Sequence, residues 1–408
     1  MRGITKLRIF INEVFNGDII RCWDKVLRFT QITNGNIEQQ QASDCRRQAG
    51  NMCFLLFALF ATMRFGLSSQ VEDRSLHHVF GYTLIAFGNV GRLFSFASGC
   101  INMQCAAYRM VVHGKERSHI IQEILNSKAQ ESGNRTKQRM ARVILITGLI
   151  AFVLITLSCF FLTMGLFIRN VRSSTTIAEI ACWSLWCLEE LRVSVCIGLD
   201  HSMFPAVWML VALNYRADVL TLADKMEEYM HAAKHSNRNT NRRSFAPVLQ
   251  SFLRLREHAI AFNKVSTPIL FVMQLCSTPC ICFLLFVAFY SENTFLSVVL
   301  SFSATTFALS VCMLFAMASQ VTSAVDRLHH LLCSAKVKND HGSGSTLSTI
   351  RSRFLLHMME EVGSEEGQLV LRTTTGLKYD SQMFLSFLIG VAEQYTLLLT
   401  FDQLFKLR

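Results

Sequence analysis

Proline is scarce in this chain: four residues in 408, at positions 205, 247, 268 and 279. So few helix breakers leave long uninterrupted helices open to it. Charge is absent over long runs. Residues 143–168 carry none, and neither do residues 294–325. Blocks of that kind exclude an ordinary soluble domain, whose apolar residues recur at helical or strand spacing instead of in runs. No internal repeat is visible, which argues against the duplicated halves of many secondary transporters. There is no glycine-rich nucleotide loop, nucleophile elbow or metalloprotease helix, so no motif for an enzyme. Residues 1–49 lack an apolar core long enough for a cleavable signal peptide, and none is expected.

What is present is apolar bulk: 51% hydrophobic residues and a mean hydropathy of +0.32. Together with the runs, this predicts an all-α polytopic membrane protein. The net charge of +11 does not imply nucleic acid, because membrane proteins gather Lys and Arg in their cytoplasmic loops. The 14 cysteines fall largely in apolar blocks, as Cys53, Cys159, Cys276, Cys280, Cys282 and Cys312 do. They read as small buried hydrophobes, not as a disulfide framework.

Residues 1–49 form a polar, basic segment in which Ile4, Leu7, Phe10, Ile11 and Val14 recur at helical spacing. Seven spans follow, at about 51–67, 79–105, 143–168, 193–213, 265–290, 294–321 and 381–405, within one membrane domain over 50–408. The fourth is kinked near Pro205, with Ile177–Leu191 as its extension above the bilayer. A long polar loop is expected from 214 to Lys264. The sixth apolar run outlasts a bilayer, so its helix is expected to continue beyond the membrane. Phe354–Val362 reads as a further cytoplasmic helix.

The cations orient the whole. Of the 40 Lys and Arg, 32 lie in residues 1–49, 105–142, 214–264 and 322–380, and only Arg74, Arg169 and Arg172 lie in the alternate loops. By the positive-inside bias the amino terminus is cytoplasmic and the carboxyl terminus extracellular. Asn134-Arg135-Thr136 then falls on the cytoplasmic side, where a glycosylation signal stays unmodified.

Several polar groups invite a functional reading. His77-His78 and His329-His330 point about 100° apart on a helix and have no partner at metal-site spacing, so no metal or cofactor is expected. Glu189, Glu190, Asp200 and His201 read as vestibule or helix-contact residues. Asp326-Arg327 reads as an ion pair at the membrane edge. Arg92 and Glu393 form either a buried pair or two separately shielded charges.

The last apolar stretch, Ser381 to Phe405, is unusual in carrying both Glu393 and Asp402. A charge at mid-membrane costs about 2.5–3.5 kcal/mol on insertion scales, and such groups face a partner or water. Tyr395, Leu398, Phe401 and Asp402 fall near one helical face, which predicts that this helix lines a water path through an oligomer.

Seven spans, an inside amino terminus, short outer loops and long basic inner loops together resemble the arthropod gustatory and odorant receptor superfamily. Gustatory receptors end in Thr-Tyr, five apolar residues and Gln-Phe. Here Gln394-Tyr395 precedes Thr396–Thr400 and Phe401-Asp402, with Gly390 five residues before the tyrosine; Gln403-Leu404 restores the closing pair with a slip of two residues. Gly376 and Asp380 resemble the family's glycine and aspartate upstream. The resemblance implies a ligand-gated, poorly selective cation channel of the plasma membrane. It implies a homo- or hetero-tetramer in membrane lipid, joined by helix ends beyond the bilayer, with no nucleic acid partner. The ligand would be a small organic tastant or odorant held in each subunit's outer half. Carried over, Leu398 and Phe401 line the gate and Asp402 sits at the pore mouth, while Gly390, Gln394 and Tyr395 carry the helix motif. Phe161, Trp183, Trp186, Phe204 and Trp208 supply candidate pocket surface. The other classes that fit seven spans are a metabotropic receptor without a pore and a membrane-embedded transporter or enzyme.

Overall fold

A computed structural model describes residues 135–406, apart from 175, 236–237, 291–293, 341–345, 364–368 and 372–377, together with Met52, Leu56 and Leu59. The segment 1–49, the span expected at 79–105, Arg92 and most of the span at 51–67 lie outside the described residues. From residue 135 on, the described residues form α1 (Arg135–Ser173), α2 (Ile177–Gly198), α3 (Phe204–His235), α4 (Arg238–Tyr290), α5 (Thr294–Asp340), α6 (Thr346–Gly363) and α7 (Ser381–Lys406). Among the described residues there is no strand.

Arg139–Arg172, Pro205–His231 and Ser297–Val337 are each long and apolar enough to cross a membrane. The first is α1, and its outward residues Val143, Ile150, Leu157, Phe161 and Ile168 are all exposed and apolar. A lipid-facing helix needs that composition, since lipid is as apolar as leucine. On its other side Gly148 approaches α3 closely; a Cβ there would stand 2.8 Å from the Cβ of Ala206.

Between α2 and α3 the helix does not stop but widens into a π turn, Leu199–Met203. The cause lies in Pro205. A proline lacks an N–H and its ring collides with the carbonyl four residues back, and a widened turn makes the room. The irregularity next to Pro205 is this π turn, and Ile177–Gly198 is a helix leading into it.

The polar stretch 214–264 departs from expectation. It is not a loop. α3 runs on to His235 and α4 begins at Arg238, reaching Tyr290 53 residues later. The reason is a periodicity hidden among charges. Tyr215, Val219, Leu222, Met226 and Tyr229 on α3 are buried; so are Phe245, Val248, Phe252, Leu255, Ala259 and Phe262 on α4, and Val321, Val325, Leu328, Leu332 and Ala335 on α5. Steps of three and four place each set on one helical side. Leu355, Met358 and Val362 add α6, which packs on α5, so that these four helices share one buried core. α5, with 47 residues, measures about 70 Å at 1.5 Å per residue, more than twice the roughly 30 Å of a hydrocarbon core.

Polar pairs trim this bundle. Arg327 does not pair with its neighbour Asp326. Its guanidinium donates to Glu227 at 2.9 Å and Asp224 at 3.4 Å on α3, while Asp326 meets Lys378 at 3.8 Å. Arg256 reaches Glu361 at 3.1 Å, and Lys225 donates to Ser251 at 2.8 Å.

Candidate functional site: the last helix and its root

α7 starts where Asp380 caps it. The Asp380 carboxylate accepts from the Met383 N–H at 2.9 Å, and its carbonyl accepts the first helical bond, from the Phe384 N–H at 3.2 Å. This is the geometry an aspartate N-cap supplies, satisfying donors a helix start otherwise leaves open. Just before it, Tyr379 is buried to 1% exposure. Its N–H donates to the Leu371 carbonyl at 3.2 Å, and its own carbonyl accepts from the Thr322 hydroxyl of α5 at 2.7 Å. Burial raises the Tyr379 phenol above its ordinary pKa, so it stays neutral.

Phe315 of α5 is the centre of this root. Its ring lies 5.1 Å from Phe387, stacked, 5.9 Å from Tyr379 and 6.1 Å from Phe384. One turn past Phe387, the Cys282 thiol of α4 donates to the Val391 carbonyl at 3.4 Å. Phe384, Phe387 and Val391 thus form the packed side of α7. The preceding stretch Leu369-Val370-Leu371 is buried at 0–1% exposure. Its carbonyls accept from the Tyr215 hydroxyl of α3 (2.8 Å, to Leu369) and from the Asn263 amide of α4 (3.4 Å, to Val370).

The opposite side of α7 has no cover among the described residues. Gln382, Ser386, Ile389, Glu393, Thr396, Leu397 and Thr400 are all exposed. At 100° per residue they fall within about 60° of Glu393. Two rows at heptad spacing make up the stripe: 382, 389 and 396, and 386, 393 and 400. A seven-residue repeat keeps one face turned to a common axis. Most members are polar. Thr396 and Thr400 hydroxyls are satisfied by carbonyls one turn back, at 2.8 and 2.9 Å. Beside Glu393, a Cβ at Gly390 would meet nothing within 4 Å.

Of the residues expected from sequence, Gln394 is exposed and Tyr395 half-buried on α7. Leu398, Phe401 and Asp402 also belong to α7, but their side chains lie outside the described residues. By helical period Leu398 and Asp402 fall within about 20° of Val391, on the packed side, and Phe401 falls midway between the two sides. The pocket candidates are spread over different surroundings. Trp208 is 2% exposed and stacks on Phe262 of α4 at 6.3 Å, whereas Phe161 is 54% exposed and meets Phe160 edge-on at 5.8 Å. Trp183 is buried and Trp186 half-buried on α2; Phe204 heads α3, with its side chain outside the described residues, as are those of Glu189, Glu190, Asp200 and His201. His329 lies 3.7 Å from Cys333, but among the described residues no three His, Cys, Asp or Glu gather as metal ligands.

The sequence reading missed the root: Tyr215, Phe315, Thr322 and the 369–371 stretch. Its one legible trace is Leu-Val-Leu, an apolar triplet in a polar segment.

No family model matches this sequence, and no curated protein does. Solved structures do match. The olfactory receptor OR5 of the insect Machilis hrabei in complex with eugenol superposes with a TM-score of 0.62 at 10% identity, covering 94% of this chain and 99% of that one. The structure of OR5 described without a ligand gives a TM-score of 0.60 at 11% identity over the same shares. So full a match in both directions leaves little of either chain unpaired, and the fold of this polytopic helical membrane protein is that of an insect olfactory receptor.

Proposed function

We propose that the chain is a chemoreceptor subunit of the insect gustatory and odorant receptor superfamily. In this reading it is a ligand-gated, poorly selective cation channel of the plasma membrane, with four α7 helices around a central conduit. The observation that carries the reading is the exposed polar stripe of α7. A helix otherwise rich in Leu, Phe, Ile and Val leaves Gln382, Ser386, Glu393, Thr396 and Thr400 exposed. In lipid that face would be costly, chiefly through Glu393; around a water-filled axis it is solvated, and four carboxylates concentrate cations.

This assigns the conduit lining to Glu393, Thr396 and Thr400. By helical period Leu398 and Asp402 fall about half a turn from Glu393, and Phe401 about 80° from it. The register in which Gln403-Leu404 closes the motif agrees, because it sets Thr396 in the place of the motif's threonine. Leu253 and Ile260 on α4 and Ile350 and Phe354 on α6 are apolar and exposed on the outer bundle, a surface suited to contacts between copies. The ligand is a small organic tastant or odorant bound on the Trp183–Trp208 side of the chain.

The test is cysteine accessibility in cells expressing this chain alone, with an agonist found by screening small odorants and tastants. A cationic methanethiosulfonate should block evoked current in Glu393→Cys and Thr400→Cys and leave Leu388→Cys, on a different exposed face, unaffected. Block at 388 and none at 393 or 400 would overturn the lining, and G-protein-dependent signalling without current would overturn the channel.

A further inference from the structure

We infer that the Tyr215 hydroxyl is a latch joining α3 to the root of α7, and that it holds the unliganded channel shut. The inference rests on the channel reading above and adds how movement elsewhere would reach the conduit. Among the described residues α7 is packed by α5 and α4 from Phe384 to Val391, next to its root, so a movement of the root carries the helix with it. There the contacts form an unbroken series. The Tyr215 hydroxyl donates to the Leu369 carbonyl at 2.8 Å, and two residues on, the Leu371 carbonyl accepts from the Tyr379 N–H at 3.2 Å. The Tyr379 carbonyl is held by Thr322 at 2.7 Å, and the next residue, Asp380, caps α7.

Every group in that series up to Tyr379 is buried. Tyr215 is 3% exposed, Leu369 0%, Leu371 0%, Tyr379 1% and Thr322 3%. A polar bond sealed from water leaves an unsatisfied carbonyl when broken, which makes its two arrangements distinct instead of graded. Tyr215 also stacks on Phe262 of α4, ring centroids 4.6 Å apart and planes at 18°, so a shift of α3 against α4 moves its hydroxyl. Two turns toward the start of α3 lies Trp208, which packs on the same Phe262. A ligand that repositions Trp208 would therefore strain the ring from which the hydroxyl hangs. Nearby polar pairs of the same helices do not touch the root; Lys225–Ser251, at 2.8 Å, is one.

Tyr215→Phe keeps the ring stack and deletes the hydroxyl. Expected, at matched surface expression, is a rise in unliganded current of about threefold to tenfold, with the half-maximal agonist concentration falling by a similar factor, the range one neutral hydrogen bond confers. Lys225→Met should leave both unchanged. A second measurement does not need conduction. In a Val370→Cys background, Tyr215→Phe should speed maleimide modification of position 370, read on its peptide by mass spectrometry, several-fold over the Lys225→Met control. Unchanged leak and agonist response would overturn the latch even if labelling rises, and a rightward response shift would overturn its direction. Unchanged labelling would overturn the tie itself. Absence of any wild-type current would remove the channel reading, and the latch with it, while labelling still reports separately on the tie.

Discussion

Phe315→Leu is the perturbation that most directly separates a built root from a loose end. Phe315 is 3% exposed and its ring faces Phe387, Tyr379 and Phe384 at 5.1, 5.9 and 6.1 Å. Leucine keeps the site apolar, so the loss is confined to the ring pairs and some volume. Aromatic pairs contribute about 0.5–1.5 kcal/mol each beyond their buried area. Three would sum to about 1.5–4.5 kcal/mol, but pairs sharing one ring are not additive, so about 2 kcal/mol is expected. With a factor of ten for about 1.4 kcal/mol, the open root becomes about 30-fold more populated. Lys378, beside Tyr379 and paired with Asp326 at 3.8 Å, provides the reporter. Where opening is fast relative to cleavage, trypsin cuts in proportion to the open population. The detergent-solubilised variant should release the fragment after Lys378 about 30-fold faster than wild type. Phe271→Leu, on α4 and 40% exposed, should not change that rate. Equal rates for the two variants would refute the claim that Phe315 anchors α7.

Asp380→Ala removes the cap on Met383 and should cost about 1 kcal/mol locally, seen as roughly fivefold faster hydrogen exchange at the first amides of α7; unchanged exchange would mean the cap is not engaged. Gly148→Ala forces a Cβ to 2.8 Å from that of Ala206, and since neither is the tip of a flexible side chain, α1 and α3 must separate. A cost of about 1–3 kcal/mol should appear as a lower apparent melting temperature in detergent. Arg327→Gln breaks an exposed pair of bonds to Asp224 and Glu227, and such surface pairs contribute little; melting at physiological salt should not move, and a drop of several degrees would refute that assignment.

The 214–264 stretch shows why part of the fold was hard to see. Its charges mark it as outside the membrane, and a polar segment between spans reads as a loop. The buried set Phe245, Val248, Phe252, Leu255, Ala259 and Phe262 has the spacing of a bundle helix, yet Arg242, Arg243, Arg254, Arg256, Glu257 and Asn263 in the same stretch dilute any averaged hydropathy. For the same reason Leu369–Leu371 passed unnoticed. Three apolar residues carry no periodicity, and their importance comes from Tyr215 and Asn263, more than 100 residues away in the chain.

Some properties are one-dimensional and belong to the sequence alone. The uncharged run 143–168 needs an apolar surrounding whatever its neighbours, Pro205 withholds one helical N–H wherever it packs, and the uneven distribution of Lys and Arg sets an expected orientation without any contact being known. The face of α7 is of another kind. Glu393, Leu398 and Asp402 all sit on one apolar helix, and its period alone cannot say which side is covered. Phe315 and Cys282, brought from α5 and α4, cover the Phe387–Val391 side, and by doing so leave Ser386, Glu393 and Thr400 open. Which residues of a helix meet water is settled by what packs behind it, and that is a property of the folded chain.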